Sequence, residues 1–296
     1  MTVAAIRTEG LTKRFGAVTA LDGLDLVVEQ GEVFGFLGPN GAGKSTTIRL
    51  LLGLLHATSG TAEVMGVPAT DVVRSHRQLA HVPGDMALWP QLTGAETLTL
   101  LGNLSGGVDV AFRDELVERL RLDVSTRARA YSKGNRQKVA LVAAFMTRPA
   151  VLLLDEPTSG LDPLMEAEFQ LLAREAAQRG QTVFLSSHVL DEVEDLCHRV
   201  AILRAGRLVR VASLDELRGW AATELEATFD GAVPDLSGQP GVTRVVREGQ
   251  VLRLTVTGSP APVLGALAAA GVSRLRSHEP SLEEVFLTYY RETAVR

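Results

Sequence analysis

Uninterrupted apolar runs recur through the first two thirds of the chain, at Val33-Phe34-Gly35-Phe36-Leu37, Val151-Leu152-Leu153-Leu154 and Thr182-Val183-Phe184-Leu185. A strand with no polar alternation belongs in a parallel sheet covered on both faces, so these runs predict the central strands of an α/β domain. Between them apolar positions fall at helical spacing, over residues 47–55 and at Leu98, Leu101 and Leu104, then Leu116, Leu120 and Leu122. Residues 88–148 read as a helical stretch set between two of the strands, and most of its leucines are expected to be core. Leu88-Trp89-Pro90 is set apart as a loop whose aromatic is a candidate exposed anchor.

The pattern changes after Arg207-Leu208-Val209. Ser213-Leu214-Asp215-Glu216 is a capping box that opens a short helix ending near Gly219. Alternating strands follow at residues 225–229, 242–247 and 251–257, the last two joined by Glu248-Gly249-Gln250. A helix over residues 262–270 stops at Gly271, and a strand over residues 272–276 comes after it. With an abbreviated helix around Pro234 to Leu236, the order is βαββαβ, which predicts a small α+β ferredoxin-like domain over residues 218–296. Ser281-Leu282-Glu283-Glu284 then caps a last helix with Leu282, Val285, Phe286 and Tyr289 on one face. So small a domain would struggle to bury that stripe, which predicts docking on residues 1–217 or across a dimer.

A chain of 296 residues with 46% hydrophobic and 22% charged residues is long enough for one large domain and one small one. The net charge of -5 and scattered basic residues leave no electrostatic footprint for nucleic acid, so none is expected as a partner. Cys197 is the only cysteine, which precludes an internal disulfide. No apolar run approaches the ~20 residues of a membrane span, and the expectation is a soluble chain in a reducing cytosol.

Gly38-Pro39-Asn40-Gly41-Ala42-Gly43-Lys44-Ser45-Thr46 follows the first apolar run and precedes a helix, the context of a phosphate-binding loop rather than a glycine-rich turn with a chance lysine. Its glycines let the backbone N–H groups of Asn40, Gly41, Ala42, Gly43 and Thr46 face β- and γ-phosphates. The helix N-terminus adds its dipole, Lys44 a cation and Ser45 a ligand for Mg²⁺. The run at residues 151–154 ends in Asp155 and Glu156, at the carboxyl edge where such sheets bind ligands. Asp155 is the candidate Mg²⁺ ligand and Glu156 the candidate base for the attacking water.

Tyr131-Ser132-Lys133-Gly134-Asn135-Arg136-Gln137-Lys138-Val139, just before the helix leading to that acidic strand, resembles the signature motif of ABC-transporter ATP-binding subunits. Ser159-Gly160-Leu161-Asp162 is similar to the family's D-loop, and Ser186-Ser187-His188 to its switch histidine. Leu104-Ser105-Gly106-Gly107 spells the start of the usual signature more literally. No basic helix running into the acidic strand follows it, so it reads as a loop between two helices. The likeness covers about residues 3–212, and Pro280-Ser281-Leu282-Glu283-Glu284-Val285-Phe286-Leu287 resembles the tail of ABC-2-type exporter subunits, including drug-resistance exporters.

The resemblance implies a P-loop ABC ATPase domain with a helical subdomain, hydrolysing ATP with Mg²⁺. It implies a homodimer with composite ATP sites, in which Ser132 and Gly134 of one chain meet the nucleotide of the other and Asp162 links the two sites. His188 would contact the γ-phosphate, against a plain reading as a neighbour of a helix cap. Phe15 would stack on adenine, against a plain reading as core. The partners implied are integral membrane permease subunits, with a groove for a coupling helix beside the helical subdomain and the chain held at the inner face of the cell membrane. Two positions depart from the family pattern. Gly84 stands where a glutamine or glutamate is expected, with Asp85 or a water as the substitute for the missing metal-linked group, and Lys133 replaces the signature's first glycine. Two other readings are a soluble ABC ATPase that remodels ribosomes or DNA and a cytosolic ATP-binding protein that sequesters a drug. A single ATPase domain, no long coiled coil and the acidic charge stand against the first.

Overall fold

A computed structural model of the chain describes residues 4–189, 193–194, 196–220 and 223–278, and the chain divides into two compact units, Met1–Val211 and Ala212–Arg296. The first unit begins with β1 (Ala4–Phe15) and β2 (Val18–Glu29), an antiparallel pair, then β3 (Val33–Leu37) and α1 (Lys44–Leu51). β4 (Ser59–Val64), β5 (Val67–Pro68), α2 (Val72–Ser75) and β6 (Leu79–Val82) follow. The helical stretch holds α3 (Gly94–Leu104), α4 (Val110–Arg119) and α5 (Lys133–Phe145). The chain returns through β7 (Val151–Asp155), α6 (Pro163–Gln178), β8 (Thr182–Ser187), β9 (Arg199–Arg204) and β10 (Arg207–Ser213).

Two sheets form. One has the order β2-β1-β4-β5; the other has the order β10-β9-β3-β8-β7-β6, with β9, β3, β8, β7 and β6 running parallel. Every residue of β3 and β8 is buried, as continuous apolar strands covered on both faces require. Phe184 on β8 lies 5.9 Å from Phe34 and 5.2 Å from Phe36 on β3, centroid to centroid. Each such buried ring contributes roughly 1.5–3 kcal/mol before entropy is counted. Gly35 in the middle of β3 admits no side chain, since a Cβ there would lie 2.7 Å from Val193 Cγ1.

Local sequence sets the helix starts. Thr93 and Glu96 form a reciprocal capping box on α3, the Asp109 carboxylate accepts from Phe112 N on α4, and Asp162 with Pro163 opens α6. Leu104-Ser105-Gly106-Gly107 is indeed the turn between α3 and α4, with Gly106 and Gly107 at positive φ. Leu98, Leu116, Leu120 and Leu122 are core, whereas Leu104, expected with them, is 72% exposed at the end of α3. Helix α4 is tied to α6 by Arg119, whose guanidinium grips Glu175 through two bonds of 2.8 Å and also reaches Glu168.

The second unit opens with a helix, Leu214–Trp220, started by the Ser213 and Glu216 capping box. β11 (Thr223–Phe229), β12 (Val242–Glu248), β13 (Val251–Val256) and β14 (Val272–His278) form an antiparallel sheet of order β12-β13-β11-β14, with a helix at Ala261–Ala269. That is the ferredoxin-like strand order without its first helix. The abbreviated helix expected around Pro234 to Leu236 is a turn instead: the Asp235 carboxylate accepts from Ser237 N at 2.9 Å, a local bond that competes with helix formation. Leu225, Ala227, Phe229, Leu252, Leu254, Val256, Val263 and Leu267 make its core. The last helix expected, with Leu282, Val285, Phe286 and Tyr289, lies outside the described residues.

Candidate functional site

The loop between β3 and α1 is tight because neighbouring backbone leaves no room for side chains at two of its glycines. A Cβ on Gly38 would lie 2.5 Å from Leu203 O, and one on Gly43, at φ +112, would lie 2.7 Å from Ala20 O. Gly41, at φ +80, faces open space, so its backbone is free to approach a ligand. The loop encloses a cavity of about 260 Å³ lined by Ala20, Pro39, Asn40, Gly41, Gly43, Lys44, Ser45, Thr46 and Glu156.

Lys44 is only 5% exposed, and its Nζ donates to Gly38 O at 2.5 Å and lies 4.0 Å from Glu156 Oε1. Burial pushes its ammonium below the ordinary lysine range, while the Glu156 and Asp155 carboxylates pull it back up. A cation held against carbonyls and a distant carboxylate is under-compensated for its burial, which favours an anionic ligand beside it.

Asp155 closes β7 and accepts from Ser186 Oγ at 2.5 Å. Glu156 follows at φ +48, a left-handed conformation that few non-glycine residues adopt. It is held there by its N–H, which donates to Ser186 O at 3.1 Å. The carboxylate lies 3.1 Å from His188 Nδ1, so Lys44, Glu156 and His188 come from three different segments to one place. His188 is thus a neighbour of the acidic residue rather than of a helix cap alone. Ser186 also belongs to this group, through its bond to Asp155, although Ser186-Ser187-His188 points to its histidine. Its apolar-strand position, next to a paired acidic strand in a parallel sheet, was the signal available.

Ser132 caps α5 by accepting from Asn135 N, and Asp162 caps α6 by accepting from Leu164 N and Met165 N. The two caps lie close in the fold: a Cβ on Gly134 would lie 2.4 Å from Gly160 O, and Lys133 Nζ donates to Ser159 Oγ at 2.7 Å. Gln137, buried in α5, donates to Pro157 O at 2.9 Å, a contact that its polar neighbours Asn135, Arg136 and Lys138 in sequence do nothing to announce. Ser132, Gly134 and Asp162 do not line the Lys44 cavity. Phe15 is 49% exposed at the tip of the β1–β2 hairpin, with Lys13 Nζ 4.9 Å from its ring centroid, so it is not a core residue.

Gly84, just past β6, lies against Asp155: a Cβ there would sit 3.4 Å from Asp155 O and 3.8 Å from the carboxylate carbon. Asp85 is exposed, and among the described residues no three Asp, Glu, His or Cys side chains gather as a metal site. Ser45 and Glu156 put oxygen donors on the wall of the Lys44 cavity, and Asp155 stands beside them at the end of β7. A second cavity of about 660 Å³ runs beside the helical stretch, between residues of α3, α5 and β6, with Leu52, Leu54, Met86, Leu101 and Leu104 on its walls. Trp89 is exposed. Among the described residues no helix is long and apolar enough to cross a membrane.

A family model described as ABC transporter matches residues 21–159. The daunorubicin resistance ATP-binding protein of Streptomyces coeruleorubidus is 38% identical over 97% of this chain and 96% of its own length. The bacitracin transport ATP-binding protein of Bacillus licheniformis is 37% identical over 72% of this chain and 71% of its own. A solved ATP-binding subunit of an ABC transporter superposes with a TM-score of 0.67 at 32% identity, covering 72% of this chain and 92% of that one.

Proposed function

The chain belongs to the ABC transporter family as an ATP-binding subunit, and from that premise we propose how its own residues carry ATP hydrolysis and couple it to export. It is an ATPase of the exporter branch. In the proposed reading Lys44 and the loop amides from Asn40 to Thr46 hold the β- and γ-phosphates. Glu156 takes the proton of the attacking water, and His188 holds the Glu156 carboxylate and faces the γ-phosphate. The observation that carries this is that Lys44 and Glu156 share the wall of the phosphate-loop cavity while His188 Nδ1 lies 3.1 Å from the Glu156 carboxylate. Ser45 and Asp155 would hold Mg²⁺; a hydroxyl and a carboxylate are the hard donors that ion prefers, and the Ser186 bond fixes the Asp155 carboxylate in orientation. The ion supplies charge neutralisation at the phosphates. Phe15 presents an exposed ring for adenine.

One chain carries one phosphate loop and one signature, so a second copy completes each site head to tail. Ser132 and Gly134 at the N-terminus of α5 are presented to the partner's nucleotide, and Asp162 at the start of α6 stands next to them. The groove of about 660 Å³ is offered to a cytoplasmic helix of a permease subunit, which would hold the chain at the inner membrane face. The relatives named for daunorubicin resistance and bacitracin transport make antibiotic export the first cargo class to assay. Cargo choice lies in membrane helices outside this chain.

Purification of the tagged chain from its own cell membranes tests the reading. A co-purifying integral membrane permease and ATP turnover that rises in its presence are expected. Recovery with ribosomes, or ATP binding without turnover, would replace transport by one of the other two readings.

A further inference from the structure

The segment from Pro157 to Asp162 is held by α5 at three points, and one of them is the lysine that departs from the signature pattern. Lys133 Nζ donates to Ser159 Oγ at 2.7 Å. The stem of the same side chain lies along Gly160, whose Cβ, if present, would sit 3.3 Å from Lys133 Cγ and Cδ; Gly160 is at φ +85, so a side chain there would also be strained. Next to it Gly134 packs against Gly160 O, and Gln137 donates to Pro157 O. Ser159 in turn donates its N–H to Glu156 O at 3.1 Å, and Glu156 is the residue held at positive φ with its carboxylate on His188. A continuous run of contacts therefore joins the tip of α5 to Glu156: Lys133, Ser159, Glu156, His188.

We propose that Lys133 is a positioning residue that links the signature loop of a chain to that chain's own Glu156. The inference rests on the composite-site reading, in which Ser132 and Gly134 serve the partner's nucleotide while Glu156 serves the chain's own. The Lys133 to Ser159 bond then makes engagement of one nucleotide felt at the carboxylate of the other site. A glycine at position 133 would offer neither the ammonium nor the stem that covers Gly160. The lysine is exposed, so its replacement leaves the core intact.

The test is a double-mutant cycle on the full chain, with turnover measured against ATP concentration and association with ATP followed by sedimentation. Lys133→Met keeps the stem and removes the ammonium; Ser159→Ala removes the acceptor. Each is expected to lower kcat about fivefold, the worth of one lost hydrogen bond, and to flatten a sigmoid ATP dependence. The doubly substituted chain should be no slower than either single one, because both remove the same interaction. Lys133→Arg should restore both kcat and the sigmoid shape, and ATP affinity at the phosphate loop should not move in calorimetry. Additive losses, or a loss confined to ATP affinity, would overturn the link while leaving the composite site standing. A wild-type chain that turns over ATP without associating would overturn both, and the sedimentation of wild type alone distinguishes that case.

Discussion

In the N-terminal unit the sheet built on β3, β7 and β8 is apolar on both faces, whereas the sheet of the C-terminal unit is apolar on one face and charged on the other. Covered on both sides, β3 is apolar throughout and β8 is apolar over Val183, Phe184 and Leu185, with Thr182, Ser186 and Ser187 at its two ends, so polarity collects where strands end. Asp155, Glu156, Ser186, His188 and the Lys44 loop all stand at those ends. In the C-terminal sheet the polar residues are spread over a whole face and satisfy one another: Arg253 pairs with Glu226 at 3.1 Å and with Glu248 at 3.2 Å. A cavity of about 700 Å³ on that face is lined by Glu226, Glu248, Arg253 and Arg276 among these ion pairs, with Ser277 and His278 at its side. Concentration of polar groups, rather than their number, separates a candidate site from a solvated surface.

The largest effect that tests the contrast comes from one atom exchange at a strand end. Glu156→Gln removes the base and leaves the phosphate cradle, so turnover should fall by ~10² to 10⁴ while ATP still binds. Sedimentation with ATP should show the variant accumulating as a dimer. Near-normal turnover would return Glu156 to the status of an ordinary acid after a strand.

Next in size is a cut in the C-terminal core. Phe229 is buried in the C-terminal core cluster that also holds Leu225, Leu252, Val263 and Leu267, and Phe229→Ala should cost about 3–5 kcal/mol through the lost transfer energy and the cavity left behind. If the units are as separate as their cores, calorimetry will show one transition lowered and ATP turnover within about twofold of wild type, the range of a remote change. Loss of turnover in step with that transition would join what the contrast separates.

The same contrast explains how much could be read from residues alone. The phosphate loop, the acidic strand and the signature were legible because each requires particular residue types at fixed spacing beside a strand or helix end, and the fold supplies those ends where expected. The stretch from Tyr131 to Val139 could be set at the start of a helix leading to the acidic strand before the structure placed α5. What stayed hidden depends on contacts between segments distant in sequence: Ser186 on Asp155, Gln137 on Pro157 and Lys133 on Ser159. In the C-terminal unit the alternation of strands gave the sheet, but the turn at Asp235 is decided by one side chain's bond to the backbone, which periodicity does not report.

A smaller effect comes from His81 on β6. Its Nδ1 lies 2.9 Å from Leu153 O, and burial holds its pKa below the ordinary 6.5 despite that bond. The unfolded chain therefore takes up this proton at higher pH than the folded one. The stabilisation is complete above about pH 6.5 and is lost as pH falls from there toward the lowered folded value, at no more than about 1.4 kcal/mol per pH unit. The unfolding temperature of the N-terminal unit should drop between about pH 7 and pH 5.5, and His81→Gln should drop less. Equal pH dependence in the two would mean that the carbonyl bond outweighs burial.

The smallest effect belongs to the corner where the chain departs from its family. Gly84 is not at positive φ, and a Cβ there would meet Asp155 at ordinary contact distances, so nothing in the backbone demands glycine. Gly84→Gln should fold normally and place an amide beside the Asp155 carboxylate, with turnover unchanged or raised by a few fold. Asp85 is exposed, and among the described residues it belongs to no group of three candidate metal ligands, so Asp85→Ala should turn over ATP at the wild-type rate across a Mg²⁺ titration. A clear loss in Asp85→Ala that excess Mg²⁺ repairs would bring Asp85 back as a metal-linked group. It would also show that polarity beside a strand end can act from the next loop position, which would weaken the rule that the two sheets otherwise support.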